Sequence, residues 1–275
     1  MARTTMWKAV VAGGAALALT GVAAMPAGAA EGGVAFSRVS VNGGKPIVIG
    51  VQEEVEVHAT FRMTTTLRYD GGPMVYPYRG TTENGEVLWS SIITSDCNVV
   101  DRAKGICDFD EWLYIDPRDL DLGNEDAGTW RTAALVYLPG DAQDIDDMNL
   151  PVRVQRATRL TVDASPEPVA IGKTITVSGR LTRANWDTHT YQGYAGRGVS
   201  LQFKATGASS YKTVKTATSS ATGSLRTTVK ATGPGTWRWT YYGNSVSGAS
   251  SSGGDHVATQ PRVLHSAFPR VMHSV

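Results

Sequence analysis

From Glu54 to Phe61 the chain alternates, with Val55, Val57, Ala59 and Phe61 apolar and Glu54, Glu56, His58 and Thr60 polar. The same period returns later, where Ile175, Val177, Gly179 and Leu181 alternate with Thr174, Thr176, Ser178 and Arg180. A two-residue period predicts a strand with one buried face. Trp237, Trp239 and Tyr241 share one face of another such run, which leaves Tyr242 facing the other way. Trp130, Thr132, Ala134 and Val136 share one face of a further one. More strands are predicted at residues 34–41, 87–93, 107–115, 199–203, 211–214, 225–231 and 255–259, with Val152 and Val154 ending one half and Leu160 and Val162 opening the next. After the first thirty residues no stretch carries a helical apolar stripe. Many short strands divided by turn residues predict an all-β sandwich.

The pattern repeats over longer range. Pro46-Ile47-Val48-Ile49-Gly50 is echoed by Pro168-Val169-Ala170-Ile171-Gly172, and Gly128-Thr129-Trp130-Arg131 by Gly235-Thr236-Trp237-Arg238. The echoes keep their order, as a duplicated module of roughly a hundred residues would; convergence on similar strand composition is the alternative. The predicted boundary falls at residues 157–158, with little linker between the halves.

Residues 1–30 read as a cleaved secretory signal. Arg3 and Lys8 form a basic start, Ala9 to Ala24 is uncharged and mostly small, and Ala27-Gly28-Ala29-Ala30 has the small residues of a cleavage site. Nothing later is apolar enough to span a bilayer as a helix. The expected organisation is a signal at 1–30, an acidic β-sandwich domain at 31–157, a basic one at 158–260 and a tail at 261–275. The expected location is secreted and extracellular. In an oxidising compartment the two cysteines, Cys97 and Cys107, are expected to pair in one disulfide.

The second half resembles the immunoglobulin-like domains found in tandem in secreted bacterial proteins. The resemblance rests on Gly172-Lys173-Thr174-Ile175-Thr176-Val177-Ser178-Gly179-Arg180-Leu181, on Gly198-Val199-Ser200-Leu201-Gln202-Phe203, on Gly223-Ser224-Leu225 and on Gly235 to Gly243. It covers roughly residues 158–260. The first half is similar only at its first strands and its Gly-Thr-Trp run, and its middle, residues 69–112, departs from the pattern. The resemblance implies two immunoglobulin-like β-sandwich domains in tandem after a cleaved signal. It also implies a spacer, adhesion or binding role without shared catalytic residues.

Charge changes the picture. The formal total of +1 conceals 21 acids against 11 Lys and Arg over residues 31–157, and 4 acids against 13 over residues 158–275. Three readings stay open for this split of −10 and +9: attraction between the halves, a basic half that meets an anionic surface such as a cell-wall polymer, or two separately solvated surfaces. The basic residues are scattered, so no nucleic-acid partner is expected. A cell-envelope polymer, a glycan or a protein is the expected kind of partner.

Candidate chemistry is sparse. Asp116, Asp119, Asp121, Glu125 and Asp126 form one acidic group, and Asp141, Asp144, Asp146 and Asp147 form a second after Pro139-Gly140. Calcium prefers carboxylate and carbonyl oxygens on loops, so Asp141, Asp144 and Asp146 are its candidate ligands; a solvated acidic loop is the alternative. No other cofactor is expected. Trp186, Tyr191 and Tyr194 lie in a polar segment between strands, as a stacking platform for a sugar or peptide or as caps on the core. No Gly-x-Ser-x-Gly turn, His-Glu-x-x-His pair or glycine-rich phosphate loop is present, and the histidines (His58, His189, His256, His265 and His273) are dispersed. The chain is not expected to be an enzyme.

Overall fold

The computed structural model describes residues 33–260 except Glu83 and Asp121. The expected signal at 1–30, the tail at 261–275, His265 and His273 lie outside the described residues. Two compact units are present. Of the described residues, the first holds 33–157 together with Ala184–Tyr191 and Asn244–Gly248, and the second holds Thr158–Arg183, Gln192–Gly243 and 249–260.

The first half of the chain carries β1 (Ala35–Val41), β2 (Ile47–Ile49), β3 (Val55–Thr64), β4 (Met74–Arg79), β5 (Glu86–Val87), β6 (Ser91–Thr94), β7 (Asn98–Asp101), β8 (Ile106–Ile115), β9 (Gly128–Leu138) and β10 (Ala142–Arg156). One sheet runs β1-β3-β8-β6, with β7 also on β8; the other runs β2-β10-β9-β4-β5. Lettered along the chain, this is A-B-E-D against A′-G-F-C-C′, the immunoglobulin arrangement of crossing Greek-key connections. The departing middle, residues 69–112, therefore folds into the ordinary C-to-E portion. The segment expected as one strand at 87–93 is broken, because it leaves β5 in one sheet and enters β6 in the other.

The second half carries β11 (Thr158–Leu160), β12 (Asp163–Ser165), β13 (Val169–Ala170), β14 (Thr174–Asn185), β15 (Thr190–Gly193), β16 (Gly198–Ala205), β17 (Lys212–Thr218), β18 (Ser224–Lys230), β19 (Gly235–Tyr241), β20 (Ser250–Ser251), β21 (Asp255–Val257) and β22 (Thr259–Gln260). β11, β12, β15 and β18 all pair with β14, and a second sheet runs β17-β16-β19-β20, with β21 also on β19. This is A-B-E against C′-C-F-G, again immunoglobulin-like.

The echoes seen in the sequence land on equivalent strands. β2 pairs in parallel with β10, and β13 pairs in parallel with β22, so each Pro-to-Gly echo opens onto the last strand of its own half. Gly128 and Gly235 open β9 and β19, both F strands.

Burial follows the alternation. Ile175, Val177 and Leu181 of β14 are buried, as are Trp237, Trp239 and Tyr241 of β19. In β3 the buried set is Val57, Ala59, Phe61 and Met63, and Phe61 stacks on Phe109 of β8 at 5.1 Å. β9 differs from expectation. Trp130, Thr132, Ala134 and Val136 are buried, and so are Ala133 and Leu135 on the opposite face. The disulfide joins Cys97 and Cys107 beside the β7–β8 ladder, where Val99 lies opposite Cys107.

Candidate functional site

The residues singled out in the sequence do not gather. Trp186 is 1% exposed inside the first unit, and its Nε1 donates to the Gly50 carbonyl at 2.9 Å. Tyr191 packs partly buried against that same core, whereas Tyr194 is buried in the second unit's core, edge-on to Tyr241 at 5.9 Å. Of the expected Trp186, Tyr191 and Tyr194, two rings are interior and the three are divided between two cores, as in the alternative that they cap the core. Large rings recover more free energy by burial than by waiting exposed for a ligand.

The expected calcium ligands are divided between a turn and a strand. Only Asp141 sits in the turn, at φ 62°, while Asp144 and Asp146 lie on β10 opposite Val136 and Ala134. Alternation sends Asp147 to the other side, where it pairs with Arg131 at 3.1 Å. Burial, and then the Asp144 charge, raises the Asp146 carboxyl above its ordinary range. Among the described residues no group of three or more His, Cys, Asp or Glu is placed to hold a metal ion. In the other acidic group, Asp116 accepts from the Arg118 backbone at 2.9 Å and from its guanidinium, which holds the carboxyl down at about 2. Asp126 caps the turn at Gly123, accepting from its N–H at 2.6 Å, and pairs with Arg79. These acids hold loops in place.

A different constellation is assembled on the sheet β17-β16-β19-β20. The strands β16 and β19 send Leu201, Trp237 and Trp239 to the core. Period two then puts Ser200, Gln202 and Lys204 of β16 on the opposite face, with Thr236, Arg238 and Thr240 of β19 beside them. The register sets Gln202 opposite both Arg238 and Thr213. Rows on this face lie about 7 Å apart along a strand and neighbours about 5 Å apart across strands.

Gln202 is the centre of this face. Its Oε1 accepts from Arg238 Nε at 2.8 Å and from Thr240 Oγ1 at 3.1 Å. Its Nε2 donates to Tyr242 Oη at 3.2 Å and to Thr213 Oγ1 at 3.4 Å. A glutamine amide has four such bonds to make, and all four are made here. Arg238 is held by its Nε and lies over the Tyr211 ring, 3.8 Å from its centroid, with Lys204 Nζ at 5.1 Å from the same centroid. Cation–π contact stabilises both half-buried cations. Among the described residues neither Lys204 nor Arg238 forms an ion pair. Tyr242 is 66% exposed, a large ring kept in water and oriented by one hydrogen bond. Thr240 Oγ1 also bonds Ser251 Oγ at 2.9 Å.

Sequence reasoning placed Tyr242 away from the core and went no further. The signal was present: polar positions 200, 202, 204, 236, 238 and 240 are the complement of the core positions on two strands. Their adjacency depends on the β16–β19 register, which the sequence does not reveal.

No family model and no curated protein matches the chain. Among solved structures, it is similar to the D00-D0 domain of intimin, at 12% identity over 80% of this chain and 99% of that one, with a TM-score of 0.27. It is similar to the fibronectin(III)-like modules of Clostridium thermocellum CbhA, at 10% identity over 80% and 94%, with a TM-score of 0.29. It is also similar to FdeC, an Escherichia coli adhesin, at 18% identity over 82% and 64%, with a TM-score of 0.27. Likenesses at this level carry no argument; the sandwich assignment rests on the ladders described above.

Proposed function

We propose that this is an exported, non-enzymatic protein that binds a component of the cell envelope or its surroundings through the Gln202 face of its second unit. The observation that carries the reading is Arg238, held beside exposed Tyr242 by the fully bonded Gln202 amide, with Lys204 over the same Tyr211 ring and neither cation in an ion pair among the described residues. Side chains already fixed before binding lose less conformational entropy when a ligand arrives. The disulfide and the signal-like first thirty residues support export. The first unit acts in this reading as a stable scaffold, with Asp116, Asp126 and Asp147 committed to loop contacts and ion pairs.

The test is sedimentation of the mature chain with polysaccharide and protein fractions of a cell envelope, compared with the double variant Lys204→Gln, Arg238→Gln. The expected result is co-sedimentation of the natural chain with one fraction and loss of it for the variant. Failure of the natural chain to bind any fraction, or equal binding by the variant, overturns the reading. A panel of ester, peptide and glycoside substrates is expected to show no turnover, and turnover above the buffer rate would overturn the non-enzymatic part.

A further inference from the structure

We infer that the ligand of this face is an anionic polysaccharide, read by Tyr242 as a stacking ring, by Arg238 and Lys204 as the anion contacts, and by the exposed Thr213 and Ser251 hydroxyls as hydrogen-bonding partners. The inference rests on the reading above and adds the chemical class of the ligand.

Three features together select that class. The first is charge. Residues 158–275 hold 13 basic and 4 acidic side chains, and neither cation of this face forms an ion pair among the described residues. Gln202 holds Arg238 through its Nε, a bond that does not use the terminal nitrogens, and the fork of a guanidinium matches carboxylates and phosphates in pairs. The second is the flat apolar surface of Tyr242, 66% exposed. An aromatic ring with a wet edge suits a sugar, whose one face is C–H and whose rim is hydroxyl. The third is the pair of exposed neutral hydroxyls, Thr213, bonded to Gln202, and Ser251, bonded to buried Thr240. Neutral hydroxyls both donate and accept, as sugar hydroxyls do, so they match a glycan better than a bare polyanion.

The outer part of the face is a sheet surface: Arg238 lies on β19 and exposed Tyr242 at its end, above buried Gln202, and neighbouring strands stand about 5 Å apart. A long polymer can lie across such a surface and reach several rows at once. A folded protein partner would instead require a larger apolar centre than one tyrosine supplies.

Affinity electrophoresis and calorimetry of the mature chain against polygalacturonate, dextran, dextran sulfate and polyphosphate test this. The expected result is binding to polygalacturonate, to dextran sulfate or to both, with dextran and polyphosphate at least tenfold weaker. Raising the salt from 0.15 M to 1 M should weaken it further, since the screening length falls from about 8 Å to about 3 Å. Tyr242→Ala and the Lys204→Gln, Arg238→Gln pair should each lower affinity at least tenfold. Gln202→Met should lower it too, although it removes no contact group, because it releases Arg238 and Tyr242; an unchanged melting temperature and β-sheet circular dichroism separate this from misfolding.

Equal binding to polyphosphate overturns the choice of a glycan, and equal binding to dextran overturns the anionic requirement. If no polysaccharide binds while the envelope fraction still binds through Lys204 and Arg238, the ligand class is wrong and the binding face stands. If a polysaccharide binds and every variant binds equally, the face itself is wrong.

Discussion

Glu111 shows how one residue sets a property of the molecule. It lies on β8 among core residues, fully buried, opposite Ala59 and Thr94. Its Oε2 accepts from the Val75 N–H at 3.0 Å and Thr94 Oγ1 at 3.2 Å, and burial pushes its pKa up to about 8. The folded state therefore holds a proton that the unfolded state has released between about pH 4.5 and 8. Its contribution to stability falls as pH rises through that window, by up to about 1.4 kcal/mol per pH unit, and is level above it. Urea unfolding from pH 4.5 to 9 should show this slope, and Glu111→Gln should remove it while keeping an acceptor for Val75. Asp116 acts in the opposite sense and in another range: its carboxyl is held down at about 2, so its contribution is present above the ordinary Asp range and lost as pH falls through about 2. Asp141, Asp144 and Asp146 are divided between a turn and a strand. Millimolar calcium is accordingly expected to leave the melting temperature unchanged, and a rise would mean that these acids gather when the ion is present.

At the scale of elements, the β7–β8 hairpin carries two constraints. The disulfide closes a loop with a sequence separation of 10 between Cys97 and Cys107. By the chain-entropy relation its loss should cost about 2.7 kcal/mol, measurable as the difference in denaturant unfolding between the natural chain and Cys97→Ser, Cys107→Ser. Within that hairpin Gly105 has φ +62°, and a Cβ there would stand 1.8 Å from the Thr65 carbonyl, which belongs to the backbone and cannot rotate away. Gly105→Ala is expected to lower stability by about 1–3 kcal/mol, with hydrogen exchange at the Thr65 amide rising first, since that amide bonds Gly105 O at 3.0 Å. β10 shows a different economy of design. Only its last residues pair with β2, and the stretch before them carries Asp144, Asp146 and Asp147, charges that discourage pairing with another chain.

At the scale of the whole molecule, the two units are not two consecutive stretches of sequence. The first unit takes in Ala184–Tyr191 and Asn244–Gly248. Trp186 fills its core, Arg156 Nε donates to Ala184 O at 2.6 Å, and the Arg156 N–H donates to Val246 O at 3.1 Å. A chain cut after Ala157 should therefore unfold at a lower temperature than the first unit does in the full chain, or aggregate. Trp186→Ala in the full chain should cost about 3–5 kcal/mol, read by thermal unfolding. Were a chain ending at Ala157 to melt at the full-length temperature, those two segments would be dispensable to the unit.

The sequence by itself determined the β class, the principal strands, the duplicated order of its Pro-to-Gly and Gly-Thr-Trp echoes, the cysteine pair and the charge asymmetry. These are legible because strand periodicity, turn residues and composition are local. It also marked Tyr242 as outward-facing. Only the tertiary structure decided the rest. Gln202, Arg238, Tyr211 and Tyr242 meet because β16 and β19 pair in one register, and a slip of one residue would turn each polar row into the core. Trp186 looked like a loop aromatic because nothing within its own segment reveals that Gly50, far away in sequence, supplies its hydrogen-bond acceptor. Glu111 is buried although it is a carboxylate, because the sheet packed over it is assembled from distant segments. Long-range pairing is where the free energy of these contacts resides, and it is set by the whole fold rather than by any single stretch of chain.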